Sequence, residues 1–315
     1  MKAIKFFAIS AMAAAMITSC STDDELSQSN YPSDNIIRVT AGVNNAKTRA
    51  DGAGTEMKND FSLTIVNKNT EKPELASKYS YTDKVFSKKS GDWACSETLL
   101  WQNDKTPVDI VAFAPAQEGK FNGVYANGSI QPITYSVATD QSTLSDYNDL
   151  LYYYTPGFVP GGTNLDKDGK LSIQFNHAFC MIDINVTLGT EFNKPEVLDN
   201  SPIVKVTLGG TKIAANVDVK NAATGSTTTT ASVVTASEEA TPTTITTTKG
   251  SFTKAANAEA NAISRFSCIT IPQTVAANTF KVSLMTAGKR YEWTSDKEIT
   301  LQSGYRYTLN LTMGN

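Results

Sequence analysis

The cysteine at position 20 lies in the sequence context that most clearly predicts a chemical modification of this 315-residue chain. It follows residues 17–19, a branched apolar residue and two small ones, which is typical of a bacterial lipobox. A basic start and an apolar run over 6–17 precede it, and that run is shorter than the about 20 residues that cross a bilayer. Residues 1–19 therefore predict a lipoprotein signal peptide, with Cys20 as the lipidation site.

An acidic stretch, residues 21–25, directly follows Cys20. Such a stretch resembles the tag that directs some lipoproteins to the outer face of the membrane, although a solvated linker would have the same composition. Several acyl chains give a durable anchor. We therefore expect an outer-membrane, lipid-anchored protein on the cell surface.

An Asp-rich turn over 164–169 resembles the first half of a calcium-binding loop. The twelfth position of that loop needs a bidentate glutamate, and Phe175 occupies it here. An Asp-Gly turn that leads into a strand explains the same residues. We expect the turn rather than a calcium site.

The chain has one histidine and four cysteines, which limits its metal and catalytic chemistry. His177 and Cys180 are three apart, so on a strand they point to opposite faces and cannot share a zinc ion. Once Cys20 is acylated, three cysteines remain: Cys95, Cys180 and Cys268. They can form at most one disulfide, and the sequence does not determine which two would pair. No Gly-x-Ser-x-Gly motif accompanies His177. We expect no enzyme activity, no metal and no organic cofactor.

Composition narrows the fold class and the partners. Apolar residues make up 40% of the chain and charged residues 19%, with a formal net charge of −3. No basic cluster is present that would bind nucleic acid, so nucleic acid is not an expected partner. The length suits two domains.

Alternation of apolar and polar residues predicts strands along nearly the whole chain. The clearest candidates are residues 36–40, 61–65, 108–114, 171–175, 180–188, 204–208, 280–284 and 305–313. Only the Ala-rich residues 253–263 suggest a short helix. Residues 221–249 are rich in Thr, Ala and Ser, and we expect a polar hairpin extension with a mobile tip there. The predicted fold class is all-β, with two β-sandwiches.

Short motifs spread along the chain resemble those of the fimbrillins, the subunits and accessory subunits of type V pili. These motifs are Thr48-Arg49-Ala50, residues 91–93, 100–101, 108–115, 149–152, 171–178, 271–274 and 304–305. The resemblance implies two tandem transthyretin-like or Ig-like sandwiches after the signal peptide. We expect a tether and N-terminal pro-segment over 20–49, a first domain over 50–177 and a second over 178–315 that carries the insertion 221–249.

The resemblance also implies assembly by strand exchange. An arginine-specific protease on the outer surface would cut between Arg49 and Ala50, and a strand over 36–41 or 36–43 would leave. The exposed groove would then accept a strand from another fimbrillin subunit. In an uncut anchor subunit, Arg49 would instead be an ordinary surface arginine.

The position of the subunit in the fibre is predicted from the last strand. Only residues 314 and 315 follow it, and two residues span about 7 Å, too little for a donor strand. We therefore expect a tip or accessory subunit that accepts a strand, with an adhesive ligand on a host or bacterial surface. The competing hypothesis is a surface lipoprotein that binds glycans or nutrients through Tyr152, Tyr153 and Tyr154, although tyrosines packed inward from a strand fit the same residues.

Replacing Cys20 tests the predicted anchor. Cys20→Ser removes the thiol that would carry the lipid, so metabolic labelling with a fatty acid should be lost and the chain should be released or remain unprocessed. Equal labelling of the variant and the wild type would contradict the assignment.

Overall fold

The structure, a computed structural model, describes residues 29–44, 55–143, 149–193, 197–222 and 232–314. These residues are almost entirely β-structure, which confirms the predicted fold class. Within these ranges the longest helix has one and a half turns, and no helix is long and apolar enough to span a bilayer. The helical segments are α1 (Pro73–Lys78) and the 3-10 turns Asn122–Val124, Thr190–Asn193 and Val219–Ala222.

The first half of the chain contributes eleven strands, most of them to one large sheet. They are β1 (Arg38–Val43), β2 (Thr55–Glu56), β3 (Phe61–Asn67), β4 (Tyr81–Lys89), β5 (Asp92–Cys95), β6 (Val108–Ala114), β7 (Tyr125–Ala126), β8 (Ser129–Ile130), β9 (Ile133–Ser136), β10 (Leu151–Phe158) and β11 (Lys170–His177). The eight-stranded sheet has the order β2-β1-β11-β10-β6-β3-β4-β5.

This sheet curls until its two ends approach each other. Lys170 of β11 forms an ion pair of 2.9 Å with Asp92 of β5, although five strand-to-strand steps separate the two strands in the sheet. The concave side encloses a first hydrophobic cluster that includes Phe61, Phe175 and Trp101. The aromatic rings of Phe61 and Phe175 meet edge to face at 5.4 Å, a favourable arrangement for aromatic pairs.

The second half of the chain forms a sandwich from two four-stranded sheets, β17-β18-β12-β23 and β16-β13-β20-β21. The described strands of this half are β12 (Cys180–Leu188), β13 (Ile203–Thr211), β14 (Ala214–Val217), β15 (Val234–Ala236), β16 (Thr243–Thr246), β17 (Thr248–Thr253), β18 (Ala262–Thr270), β19 (Gln273–Val275), β20 (Lys281–Thr286), β21 (Arg290–Thr294), β22 (Ile299–Leu301) and β23 (Arg306–Met313). Of these, β14 and β15 form a sheet with β9, and β19 pairs with β22. Every second residue of β12 is buried, as its alternation predicts. The last strand, β23, runs parallel to β12.

The two halves share packing. In β6 all seven residues are buried, because alternate side chains face the first cluster and a second cluster centred on the sandwich. Ile110 and Ala112 face the first, whereas Val111 and Phe113 face the second. Strand β9 comes from the first half of the sequence but pairs antiparallel with β14 of the second half.

One local prediction is wrong. Residues 253–263 do not form a helix, because β17 ends at Thr253 and the strand β18 starts at Ala262, with its alternate residues Ala262, Ser264 and Phe266 buried.

The predicted hairpin in the Thr-rich region is present only in part. Strands β14 and β15 pair antiparallel and form a hairpin, and residues 223–231 between them lie outside the described residues. The strands β16 and β17 that follow join two further sheets, and Val234 and Ile245 are buried in the second cluster.

Gly210 provides a test of the second sandwich. It has a φ of +87°, and a Cβ atom there would lie 2.1 Å from the backbone oxygen of Thr279. It falls where the register of β13 against β16 shifts, as at a β-bulge. We expect Gly210→Ala to lower the free energy of unfolding by at least about 1–3 kcal/mol, from backbone strain alone.

Gly288 is the matched control, because a Cβ atom there would meet nothing within 4 Å. Gly288→Ala should leave the free energy of unfolding within about 1 kcal/mol of the wild type. Chemical denaturation of both variants measures the difference. Equal stabilities would contradict the close approach at Gly210.

Candidate functional site

The N-terminal strand β1 lies inside the first sheet rather than on a separate tether. It pairs in parallel with β11 at six positions, from Arg38 opposite Lys170 to Val43 opposite Phe175. On its other side, β1 pairs with β2 at two positions. Ile36, just before β1, forms an isolated bridge with Leu100. The segment is therefore part of the first sheet in the intact chain.

Strand β1 also completes the first hydrophobic cluster. Ile37, Val39 and Val43 are only 5%, 3% and 6% exposed, and Ala41 packs against the same cluster. Burying an aliphatic side chain of this size stabilises a fold by about 1.5–3 kcal/mol. Without β1, the apolar side chains of β11 and their unpaired backbone groups would face water. The site is a groove that must be filled by an extended strand.

Hydrogen bonds fix the N-terminal end of the segment that contains β1. The backbone N–H of Ile37 donates to the Leu99 carbonyl at 2.8 Å, and the N–H of Trp101 donates to the Asn35 carbonyl at 2.8 Å. Further toward the N-terminus, the N–H of Asn30 donates to the Gly162 carbonyl at 2.9 Å. The chain is therefore bound from residue 30 onward, before β1 begins.

At the C-terminal end the segment meets His177, the last residue of β11. The N–H of Asn44 donates to the Phe175 carbonyl at 2.8 Å, and its side-chain amide donates to Asn176 Oδ1 at 2.9 Å. His177 Nδ1 lies 2.6 Å from Asp149 Oδ2, and the imidazole also bonds to the backbone of Asn44. One side chain therefore links the end of the N-terminal segment to the start of β10.

This arrangement changes the acidity of His177. Burial by itself would lower the pKa of the imidazole, but the hydrogen bond and charge of Asp149 and the hydrogen bond to the Asn44 backbone outweigh it, so the pKa is raised. A ring that contacts two acceptors is satisfied best when both nitrogens carry a proton. The sequence does not indicate this contact, because Asp149 and Asn44 are distant from His177 along the chain.

The predicted processing sites lie outside the described residues. Cys20 precedes them, and Arg49 and Ala50 fall in the interval 45–54. The described residues on both sides of that interval are neighbours, because Val43 of β1 pairs with Thr55 of β2. A cut after Arg49 would therefore separate β1 from the rest of the chain without removing a strand that follows it.

The remaining cysteines occupy separate environments. Cys95 is half-buried at the end of β5, whereas Cys180 and Cys268 are buried on the neighbouring strands β12 and β18, and all three are free thiols. Burial raises the pKa of Cys268 to about 12 and also raises the pKa of Cys180. A buried thiol with a raised pKa stays protonated and is a poor nucleophile, so both cysteines are core residues.

The Asp-rich turn has a structural explanation. Asp166 Oδ1 accepts hydrogen bonds from the backbone N–H groups of Asp168 and Lys170, at 2.9 and 2.8 Å. Asp168 forms an ion pair with Lys167. The turn leads directly into β11, as an Asp-Gly turn should. Among the described residues there is no group of three or more acidic, His or Cys side chains that could hold a metal ion.

The three tyrosines of β10 are half-buried. Tyr152 and Tyr154 pack against the second cluster and Tyr153 against the first. Tyr152 also borders an open groove of about 910 Å³ whose wall includes Lys212, Gln273 and Tyr305. The sequence did not indicate this groove, because its walls come from distant strands and loops.

Comparison with known proteins agrees with this architecture. The sequence model of a fimbrillin-like family matches residues 48–315. No curated protein sequence matches the chain. Solved structures share the fold. One is a putative cell adhesion protein from Bacteroides ovatus, which is 15% identical with a TM-score of 0.57; the match covers 88% of this chain and 91% of that protein. A second, from Bacteroides uniformis, is 14% identical with a TM-score of 0.54 and covers 90% and 94%.

The all-β architecture, with its first strand paired in parallel to β11, is that of a β-sandwich protein. Since the family match extends over most of the sequence, the chain belongs to the fimbrillin-like family.

The link between His177 and the N-terminal segment makes a prediction about pH. Because the pKa of His177 is raised in the folded state, its contribution to stability is complete below its ordinary value of about 6.5 and is lost as the pH rises through the folded-state pKa. The ordinary imidazole pKa lies between about pH 5.5 and about pH 7.5. Over this range the free energy of unfolding should therefore fall more for the wild type than for His177→Gln.

Chemical denaturation of both proteins at the two pH values measures the effect. The comparison cancels the contributions of all other groups, because they are common to both chains. An equal pH dependence would show that His177 does not couple protonation to stability.

Proposed function

We propose that this chain is a fimbrial subunit that assembles by protease-triggered exchange of its N-terminal strand. The observation that supports this most is the position of β1, which is buried and paired with β11 yet separable from β2 by one cut after Arg49. Membership of the fimbrillin-like family supports the same role. Other fimbrial subunits are the proposed partners.

Cleavage would let strands from other subunits compete with β1 for its position beside β11. While the chain is intact, β1 is held at a high effective concentration by the covalent link. Once the link after Arg49 is cut, β1 can dissociate, and a strand from a neighbouring subunit can compete for the same backbone hydrogen bonds and apolar contacts. The closed precursor also avoids the aggregation that an open strand edge would cause.

The proposed location follows from the lipobox and the family. Cys20 would anchor the precursor in the outer membrane at the cell surface, where an arginine-specific protease would reach Arg49. After the cut, the body of the protein would pass into the fimbrium and the lipidated segment would stay behind.

We assign the chain a tip or accessory position in the fimbrium. Strand β23 pairs with β12 at eight positions and buries Leu311 and Met313, so lending it to a neighbour would open the second cluster. A subunit that receives a strand and keeps β23 in its own sheet suits the end of a polymer, where an adhesive surface would reach its ligand. Immunogold labelling should then decorate fibre ends. Labelling along the whole shaft would contradict this position.

One observation supports the second candidate function, capture of glycans or nutrients. The open groove beside Tyr152 and Tyr305 combines aromatic surface with the polar side chains of Lys212 and Gln273, a common composition for small-molecule sites. Saccharide binding by the uncut monomer would favour capture. Oligomers that form only after proteolysis favour assembly.

The cleavage step is tested by Arg49→Ala. The variant should fold with an unchanged thermal midpoint, because β1 stays in its groove, but it should not enter fibres. Arg290→Ala is a control, since Arg290 is an exposed residue of β21 that contacts Ser283 and Glu292. Fibre fractions from cells that express each variant give the measurement. Normal incorporation of Arg49→Ala would exclude cleavage as the trigger.

A further inference from the structure

We propose that the segment accepted from a neighbouring subunit carries an aromatic residue, followed by a turn and then by the inserted β-strand. The aromatic residue would enter the subsite that Tyr31 now fills. This inference rests on the proposed strand exchange and specifies its partner. The partner segment would run parallel to β11, with apolar side chains at the positions of Tyr31, Ile37, Val39 and Val43. Its outward positions, such as that of Arg38, would be unrestricted.

Tyr31 is partly buried and packs against the first cluster, although it lies six residues before Ile37, the first fully buried residue of the segment. Its ring packs against the cluster and its hydroxyl oxygen is buried. Burial, with smaller contributions from Asp104 and Tyr79, raises the pKa of Tyr31 to about 12. The ring is therefore held in a site of its own beyond the end of β1.

A turn separates the aromatic residue from the strand. The N–H of Asn35 donates to the Pro32 carbonyl at 3.0 Å, and Asn35 has a φ of +58°. Asparagine tolerates this left-handed conformation, and glycine does so with less strain. The turn lets the chain place the Tyr31 ring in the cluster and then enter the pairing with β11.

The protein around Tyr31 is shaped to receive a chain. The Asn30 side-chain amide donates to the Leu165 carbonyl at 3.0 Å, and its N–H donates to the Gly162 carbonyl. At Gly169, where φ is +72°, a Cβ atom would lie 3.0 Å from the Asn30 oxygen. The Asp-rich turn that ends at Gly169 thus forms one wall of the docking site for residues 29–35.

The resident tyrosine does not use its polar group there. Within the described residues, the Tyr31 hydroxyl and the Trp101 indole N–H are buried and have no hydrogen-bond partner. A buried polar group without a partner costs free energy, whereas an apolar group of the same shape does not. Phenylalanine should therefore fit this subsite at least as well as tyrosine, which gives an incoming strand an advantage over the segment that it displaces.

Synthetic peptides test the subsite on the full chain after it has been cut at Arg49 and its N-terminal segment has been removed. The reference peptide has the sequence of residues 29–44. Variants are Tyr31→Phe, Tyr31→Ser, a short peptide of residues 36–44, and the control Ser33→Ala, which changes an exposed residue. Fluorescence anisotropy with a labelled reference peptide measures their affinities by competition.

The expected order follows from the packing. Tyr31→Phe should bind as tightly as the reference peptide or more tightly, by up to about tenfold. Tyr31→Ser and the short peptide should bind at least about tenfold more weakly, since each loses the aromatic ring that packs against the first cluster. Ser33→Ala should bind like the reference. If the short peptide or Tyr31→Ser binds as tightly as the reference, the subsite is refuted while strand exchange stands.

A different outcome would refute the proposed function instead: a cut chain that stays folded and binds none of the peptides. The uncut protein gives a second measurement if the cut chain unfolds. In it, Tyr31→Ser should lower the thermal midpoint and Ser33→Ala should not. Equal midpoints for these two variants would overturn the subsite independently of any exchange.

Discussion

The parallel pairing of β1 with β11 is the interaction on which the first half of the molecule depends. It supplies backbone partners for β11, and the side chains of β1 cover an apolar surface that would otherwise meet water. Both contributions come from a segment whose covalent connection to the next strand runs through residues 45–54. The fold is therefore complete only while some extended chain occupies this position, whichever molecule provides it.

Much of the fold could be predicted from alternation alone. Strands such as β6 and β12 agree with their predicted bounds to the residue, because each has an unbroken apolar pattern that only a sheet satisfies. The pattern fails where burial is carried by small or polar residues. Ser264 and Ala262 are buried in β18, and three of the four residues of β16 are threonines. There the tertiary environment selects the strand, and local composition does not reveal it.

The sequence predicts those parts of the candidate site that consist of short local motifs. It does not predict the contacts between residues that are distant along the chain. Cys20 and Arg49 are recognised within a few neighbouring residues, so the sequence can nominate them. The contact of His177 with Asp149 and Asn44 brings together residues far apart in the chain. The docking of Tyr31 against the cluster beside Gly169 and Leu165 likewise depends on the curl of the sheet, which no local pattern encodes.

The pairing of β9 with β14 has a mechanical consequence. Two sandwiches joined only by a linker would bend freely, since motion between domains is the default when their interface is small. Here a strand crosses from one half to the other, and the second cluster draws side chains from both. Tension applied to one end of the molecule would pass through this joint without bending it. A filament built from such units would be stiff within each unit, and its compliance would lie at the contacts between them.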